Sequence, residues 1–404
     1  MAHFGEKAKG GEAMKRSMKR YGAFMLYIFM PAVAMMLSGC HKTIHIHPWE
    51  SNEEVRLRLR VINDAPRLGA IIDYTINPPV IIYSDEVPEK AMSRAQQTSN
   101  PSDDRFPSLK SRAHSLAEAF DEIAPYELDG DNWELHLKYE IYAGSFDDVR
   151  AGRSLIHEDK AIFRADHFHP VHDVEIELPF GTVTVVAVAH IVPAGHDADF
   201  FYETSTLHTI ISNLDMRNGE HDNLYRDCFV TAQQFHTQPT GIDGNVQYLE
   251  AVMTRPQGRY IVLADDYEDY LSISKLSIDD TKGSIYYPSY INIAYSLLSN
   301  LPVASGSNFG YVSDLQLMQA DGKPYVYLGD DWSFVNGDRS NFNVDISVKN
   351  RSDDALISNS PGVLVPIFPD MVTLVVGHWL TDKAEGGGGV KIDPGFTDEI
   401  VIHF

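Results

Sequence analysis

Apolar and polar positions alternate with a period of two along most of this chain. Val55-Arg-Leu-Arg-Leu-Arg-Val61 interleaves apolar with basic residues, the pattern of a strand with one buried face. Trp133-Glu-Leu-His-Leu-Lys-Tyr-Glu-Ile-Tyr142 alternates in the same way. Val174-Glu-Ile-Glu-Leu178 runs through Pro179-Phe180-Gly181 into Thr182-Val-Thr-Val-Val-Ala-Val-Ala189, a strand–turn–strand pattern. Arg259–Leu263, Ile285–Tyr287, Pro324–Leu328, Phe342–Val348, Met371–Val376 and Glu399–Ile402 add further short strands. Clusters of Gly, Asn, Asp and Pro separate them. This spacing predicts a mostly β protein of antiparallel sandwiches, not a parallel sheet with crossover helices. Helical periodicity is scarce: Leu109–Ile123 carries it best, and Ser205–Leu214 is a shorter second candidate.

Pro88, Pro101 and Pro107 with intervening Gln, Ser and Asn predict a long exposed loop near residues 85–110. A full set of strands precedes Leu271–Gly283 and a new set follows, so the boundary between two sandwiches is expected there. The reading is two tandem domains, 40–270 and 271–404, after a leader at 1–39. Gly386–Gly389 reads as a flexible turn; it lacks the Lys-Ser/Thr that a phosphate loop needs.

The leader changes the picture of where the protein acts. Lys15-Arg-Ser-Met-Lys-Arg20 precedes an apolar run from Tyr21 to Leu37, the layout of a secretory signal. Leu37-Ser38-Gly39-Cys40 resembles the bacterial lipobox, in which the cysteine is acylated and becomes the mature N-terminus. The resemblance implies a lipid anchor at Cys40, with acylation supplying membrane affinity. The chain has 404 residues and a net charge of −24, and losing the basic leader makes the rest more acidic. Such a body repels phosphate backbones, which argues against nucleic-acid partners. Cys228 is then the only cysteine left, too few for a disulfide framework.

Candidate chemistry is thin. Asp166-His-Phe-His-Pro-Val-His-Asp173 places His167, His169 and His172 close together, a spacing that can bind zinc or nickel. His41, His45 and His47 form a second set beside Cys40. Nothing demands a closed coordination shell in either, and histidine is a tolerated polar residue on exposed segments. Leu128-Asp-Gly-Asp-Asn-Trp133 and Ala264-Asp-Asp-Tyr-Glu-Asp-Tyr270 are acidic runs without the spacing of a calcium loop. Gly306-Ser-Asn-Phe-Gly310 is not a nucleophile elbow, and no H-E-x-x-H occurs. No catalytic residue and no cofactor is assigned. The 20 Tyr and 4 Trp supply surface for contact with a glycan or a host protein, although half-buried strands favour these residues anyway.

Four ordered segments resemble the fimbrillin-like lipoproteins of Bacteroides-type bacteria, the FimB/Mfa-type minor or anchor fimbrial subunits. They are Cys40-His-Lys-Thr-Ile-His-Ile-His-Pro48; Leu178-Pro-Phe-Gly-Thr-Val-Thr-Val-Val-Ala-Val-Ala-His190 with Asp199–Thr204 and Tyr225-Arg-Asp-Cys-Phe229; Met253-Thr-Arg-Pro-Gln-Gly-Arg-Tyr-Ile-Val262; and His378-Trp-Leu-Thr381 with Val390-Lys-Ile-Asp-Pro-Gly-Phe396. His190 stands where that pattern carries an acidic residue, and Val188 where it carries Trp. The resemblance implies transthyretin-like β-sandwiches, an outer-membrane lipid anchor, other fimbrillin-like subunits as partners and no enzymatic activity. Ile400, Ile402 and Phe404 alternate along the last segment, which would complete its own sandwich or, as an exchanged strand, a neighbour's.

Overall fold

A computed structural model describes residues 52–76, 79–92, 106–217, 223–238, 246–320, 322–382 and 399–401, all within one compact unit. Its strands are β1 (Asn52–Val61), β2 (Arg67–Asp73), β3 (Val80–Tyr83), β4 (Trp133–Ala143), β5 (Leu155–Arg164), β6 (Val171–Pro179), β7 (Gly181–Pro193), β8 (Tyr202–Glu203), β9 (Thr209–Ser212), β10 (Cys228–Thr237) and β11 (Gln247–Met253). They continue as β12 (Gln257–Ala264), β13 (Thr281–Tyr287), β14 (Ile291–Ser296), β15 (Leu301–Gly306), β16 (Phe309–Asp314), β17 (Gln316–Ala320), β18 (Lys323–Phe334), β19 (Ser340–Asn350), β20 (Leu356–Ile367), β21 (Met371–Gly377) and β22 (Glu399–Val401).

The expected mostly β architecture of two sandwiches is present. In the first, the sheet β11-β1-β6 faces the sheet β10-β7-β4-β5 across one apolar core. In β1 the alternation read from sequence is realised: Val55, Leu57, Leu59 and Val61 are fully buried. Their basic neighbours face outward and pair with acidic residues of the flanking strands, Arg56 with Glu175, Arg58 with Asp173 and Arg60 with Glu250. These exposed pairs fix little energy; burial of the apolar row holds the strand. The two segments around Pro179-Phe180-Gly181 do form strands, but β6 and β7 lie in different sheets, so the turn is a corner between layers. Gly181 takes a positive φ of 110° there. Strand β7 is buried on both faces, which explains its run of Val and Ala. A four-stranded sheet, β15-β14-β9-β8, contributes Ile210 and Tyr295 to the same core, and Leu297 adds to it from the turn after β14.

The second sandwich packs the seven-stranded sheet β17-β18-β12-β21-β2-β3-β22 on β16-β13-β19-β20. The other face of the large sheet is covered by the helices Phe106–Glu118 and Phe120–Ile123 through Leu109, Ala113, Leu116 and Ile123. This helix pair corresponds to the predicted 109–123 segment and starts inside the stretch expected to be a loop; residues 93–105 lie outside the described set. The expectation of a helix over Ser205–Leu214 fails. Thr209-Ile-Ile211 is β-branched and pairs with β14, and only Leu214–Arg217 is helical.

The strands do not divide at residue 271. Strands β2, β3 and β12 precede it yet share a sheet with β18 and β21, and β9 pairs with β14 across it. The chain therefore crosses from the first sandwich to the second between β1 and β2, and again between β11 and β12. Burial of β1 predicts that Leu57→Ala lowers stability by about 2–5 kcal/mol, whereas Arg58→Ala changes it by less than about 1 kcal/mol, both read from denaturant midpoints.

Candidate functional site

The two crossings meet at a buried layer of charge. Residues 223–228 enter β10, and Met253-Thr-Arg-Pro-Gln257 carries the chain from β11 to β12. Both segments belong to the ordered motifs singled out in the sequence. Arg255 is buried and donates through Nε and Nη2 to the two carboxylate oxygens of Asp227, each at 2.8 Å. It also donates to Asp370, in the turn before β21, and to the carbonyl of Asp64, in the crossing from β1 to β2. The guanidinium lies 4.9 Å from the Phe229 ring centre, 5.3 Å from Trp332 and 5.5 Å from Tyr126. Burial works against its charge, but Asp227, Tyr126 and Asp370 outweigh burial and hold its pKa above the ordinary arginine value. Burial, then the Asp227 charge, pushes the Tyr126 hydroxyl well up, so it stays protonated and donates to Asp227 at 2.6 Å.

Further buried pairs continue the layer: Arg226 with Asp331 at 3.2 Å, and Arg259 with Asp330. Tyr287 donates to Asp331 at 2.7 Å. Gln257 accepts from the Cys228 amide and thiol and donates to the Tyr202 hydroxyl. Gly258 is required by packing, because a Cβ there would collide with the Phe368 carbonyl. A cleft of about 650 Å³ opens beside the layer, lined by Arg255, Thr231, Gln233, Thr254, Ser299 and Asn300 among others.

Asp330 and Asp331 were not apparent from the sequence, where two aspartates before Trp332 look like a solvated run. The available signal was indirect. Arg255 and Arg259 stand at the entry to the apolar run Tyr260–Ala264, and charge at the start of a buried strand needs buried counterions.

A second pin lies on the first sandwich. Asp199 accepts from Lys138 Nζ at 2.6 Å and from the Thr204 amide, and faces His190 Nε2 at 3.4 Å. Partial burial opposes its ionisation, yet His190, Lys138 and Thr204 hold the carboxyl well below the usual carboxylate range. His190 is fully buried, and burial lowers its pKa below 6.5.

The sequence-predicted residues disperse. His167 offers its backbone carbonyl to Asn63, His169 binds Asp64 through Nε2 at 2.8 Å with φ at 46°, and His172 packs by Tyr139 with ring centres 5.7 Å apart. Among the described residues no group of three or more His, Cys, Asp or Glu is arranged to hold a metal. The acidic runs also have structural uses: Asp129 turns the chain onto Asp131 and Asn132, and Asp266 receives the amides of Leu380 and Thr381. Ile400 lies in β22 opposite Ile82 of β3. Cys40, His41, His45, His47, Ile402 and Phe404 lie outside the described residues.

Fold and junction together define a β-sandwich protein whose polar centre is a layer of buried ion pairs. Over residues 86–404 the chain matches a family of unknown function (DUF6562), and it belongs to that family. Solved structures similar to it include a candidate adhesin of Bacteroides ovatus, with 14% identity over 56% of this chain and 68% of that one and a TM-score of 0.35. The fimbrial anchor protein Mfa2 of Porphyromonas gingivalis shows 11% identity over 58% and 75%, with a TM-score of 0.31. A candidate cell adhesion protein of Bacteroides fragilis shows 10% identity over 80% and 93%, with a TM-score of 0.32. No curated protein matches the chain.

Two predictions follow from these geometries. Asp227→Ala strands a buried guanidinium and is expected to cost about 3–5 kcal/mol in chemical denaturation. Because the folded pKa of His190 is depressed, the unfolded chain takes up its proton first as pH falls. The stability it contributes is complete above pH 6.5 and declines as pH falls below it, so His190→Gln should flatten the decline of denaturant midpoint below about pH 6.5.

Proposed function

We propose that this protein is a non-enzymatic lipoprotein of the cell outer membrane that serves cell-surface adhesion as an accessory or anchor subunit of a fimbria-like structure. The observation that carries the reading is how the chain begins its fold. The lipobox-like Leu37-Ser-Gly-Cys40 is followed, from Asn52, by β1, the central strand of its sheet. Strand β1 pairs with β6 on one side and β11 on the other, and its inward side chains are fully buried. A lipid at Cys40 would thus pull on a strand gripped from both sides, which suits a tethered surface subunit.

The motif segments support the same reading, since Tyr225–Phe229 and Met253–Val262 converge on one junction instead of scattering over the surface. On this reading the terminal segment completes its own sandwich, since β22 runs parallel to β3 along its outer edge with Ile400 opposite Ile82. The partners on this reading are the membrane, through lipid, and other β-sandwich subunits, through sheet edges.

Cys40→Ala tests the reading. The variant is expected to fold, to leave the membrane fraction and to abolish the protein's contribution to adherence of whole cells. Membrane retention of the variant would show that acylation is not what holds the protein.

A further inference from the structure

Free sheet edges recruit other chains unless something blunts them. In the first sandwich charge does so: edge strand β6 carries Asp173, Glu175 and Glu177, and edge strand β5 carries Glu158, Asp159 and Lys160. Strand β15, Leu301-Pro-Val-Ala-Ser-Gly306, has no such charge. It ends the sheet β15-β14-β9-β8 and, among the described residues, pairs with β14 alone. Leu301 is 43% and Val303 55% exposed, and Ala304 and Ser305 are exposed beside them.

The strands beside β15 extend the feature. Ile210 and Tyr295 point into the first core, which turns Thr209, Ile211, Ala294 and Ser296 to the outer face. The register sets Ala304 opposite Ala294 and Ala294 opposite Ile211, and Leu301 opposite Ser296 and Ser296 opposite Thr209. None of these side chains is charged. Charge stands at the margins. Glu203 on β8, at the opposite edge, lies across from Ile211, and at the β14–β15 turn Arg150 donates to the Leu298 carbonyl at 2.6 Å while paired with Asp147. The register slips at Val303, an extra residue that bulges out of the ladder. That bulge and Pro302 make β15 a poor template for a continuous ladder, so contact here is made by side chains.

We propose that β15 and the outer face beside it are the contact between two copies of this chain. Charge selects the occupant. At a net charge of −24 two copies repel each other, and they approach closely where neither brings charge. A cationic partner would instead be drawn to the acidic surface elsewhere. A two-fold axis through the strand runs β15 antiparallel to its counterpart, so the larger Leu301 and Val303 of one copy meet the smaller Ala304 and Ser305 of the other. Pairing then covers apolar side chains that a single chain leaves in water.

The inference goes beyond the proposed anchoring role and does not depend on it. The test is thiol cross-linking of the full-length protein in intact cells with a short membrane-permeant bis-maleimide, with the native chain as baseline. Val303→Cys and Ala304→Cys should each raise the cross-linked homodimer by roughly tenfold over that baseline, whereas Tyr248→Cys, exposed on β11, should not. Adding Leu301→Glu to Val303→Cys sets like charges against each other and should return the homodimer to the baseline. No homodimer with either cysteine, as much homodimer with Tyr248→Cys, or products joined to a different protein would overturn the contact. None of these results bears on acylation, which the membrane fractionation of Cys40→Ala reads separately.

Discussion

The ion pair between Arg255 and Asp227 is the constraint around which the rest of the chain is arranged. Arg255 sits in the β11–β12 crossing, takes the Asp64 carbonyl of the other crossing, and reaches Asp370 at the turn into β21. One side chain thereby fastens the β1–β2 and β11–β12 passages between the sandwiches. A buried pair of this kind adds little net stability over an apolar substitute, but once one partner is present the other becomes obligatory. Its effect is geometric: it fixes where the two cores stand. Arg226–Asp331 and Arg259–Asp330 extend the same logic from the turn before β10 and from β12 to β18.

Much of this was legible in the sequence, and the reason differs by element. The alternation in Val55–Val61 and Trp133–Tyr142 reports burial of one face, so strands with one wet face were readable. The residues of the junction stood out as motifs, Tyr225-Arg-Asp-Cys-Phe229 and Met253-Thr-Arg-Pro-Gln-Gly-Arg259, although their use did not. What alternation cannot encode is which strands pair. Nothing local tells β2 and β3 to join β12 and β21, and so a boundary at residue 271 looked natural while the sheets run through it. Likewise Thr209–Ser212 becomes a strand because β14 lies beside it, a partner distant in sequence.

The histidines show the same divide. His167, His169 and His172 are neighbours along the chain, but a positive φ at His169 and the entry into β6 turn them toward different partners. His190 and Asp199, which no local pattern linked to a charge site, meet because the segment after β7 folds back over its sheet. Spacing along the sequence is a poor guide to side-chain convergence in β proteins, where strand pairing sets proximity.

Two sandwiches joined through buried charge, with β1 held on both edges, suit the tethered surface subunit proposed above. The most direct measurement is a gentle detergent pull-down of the tagged native protein, with mass spectrometry and electron microscopy of the eluate. The account predicts β-sandwich subunits at near-stoichiometric yield, with filaments in the images. A protein recovered alone, as a monomer without partners, would contradict it.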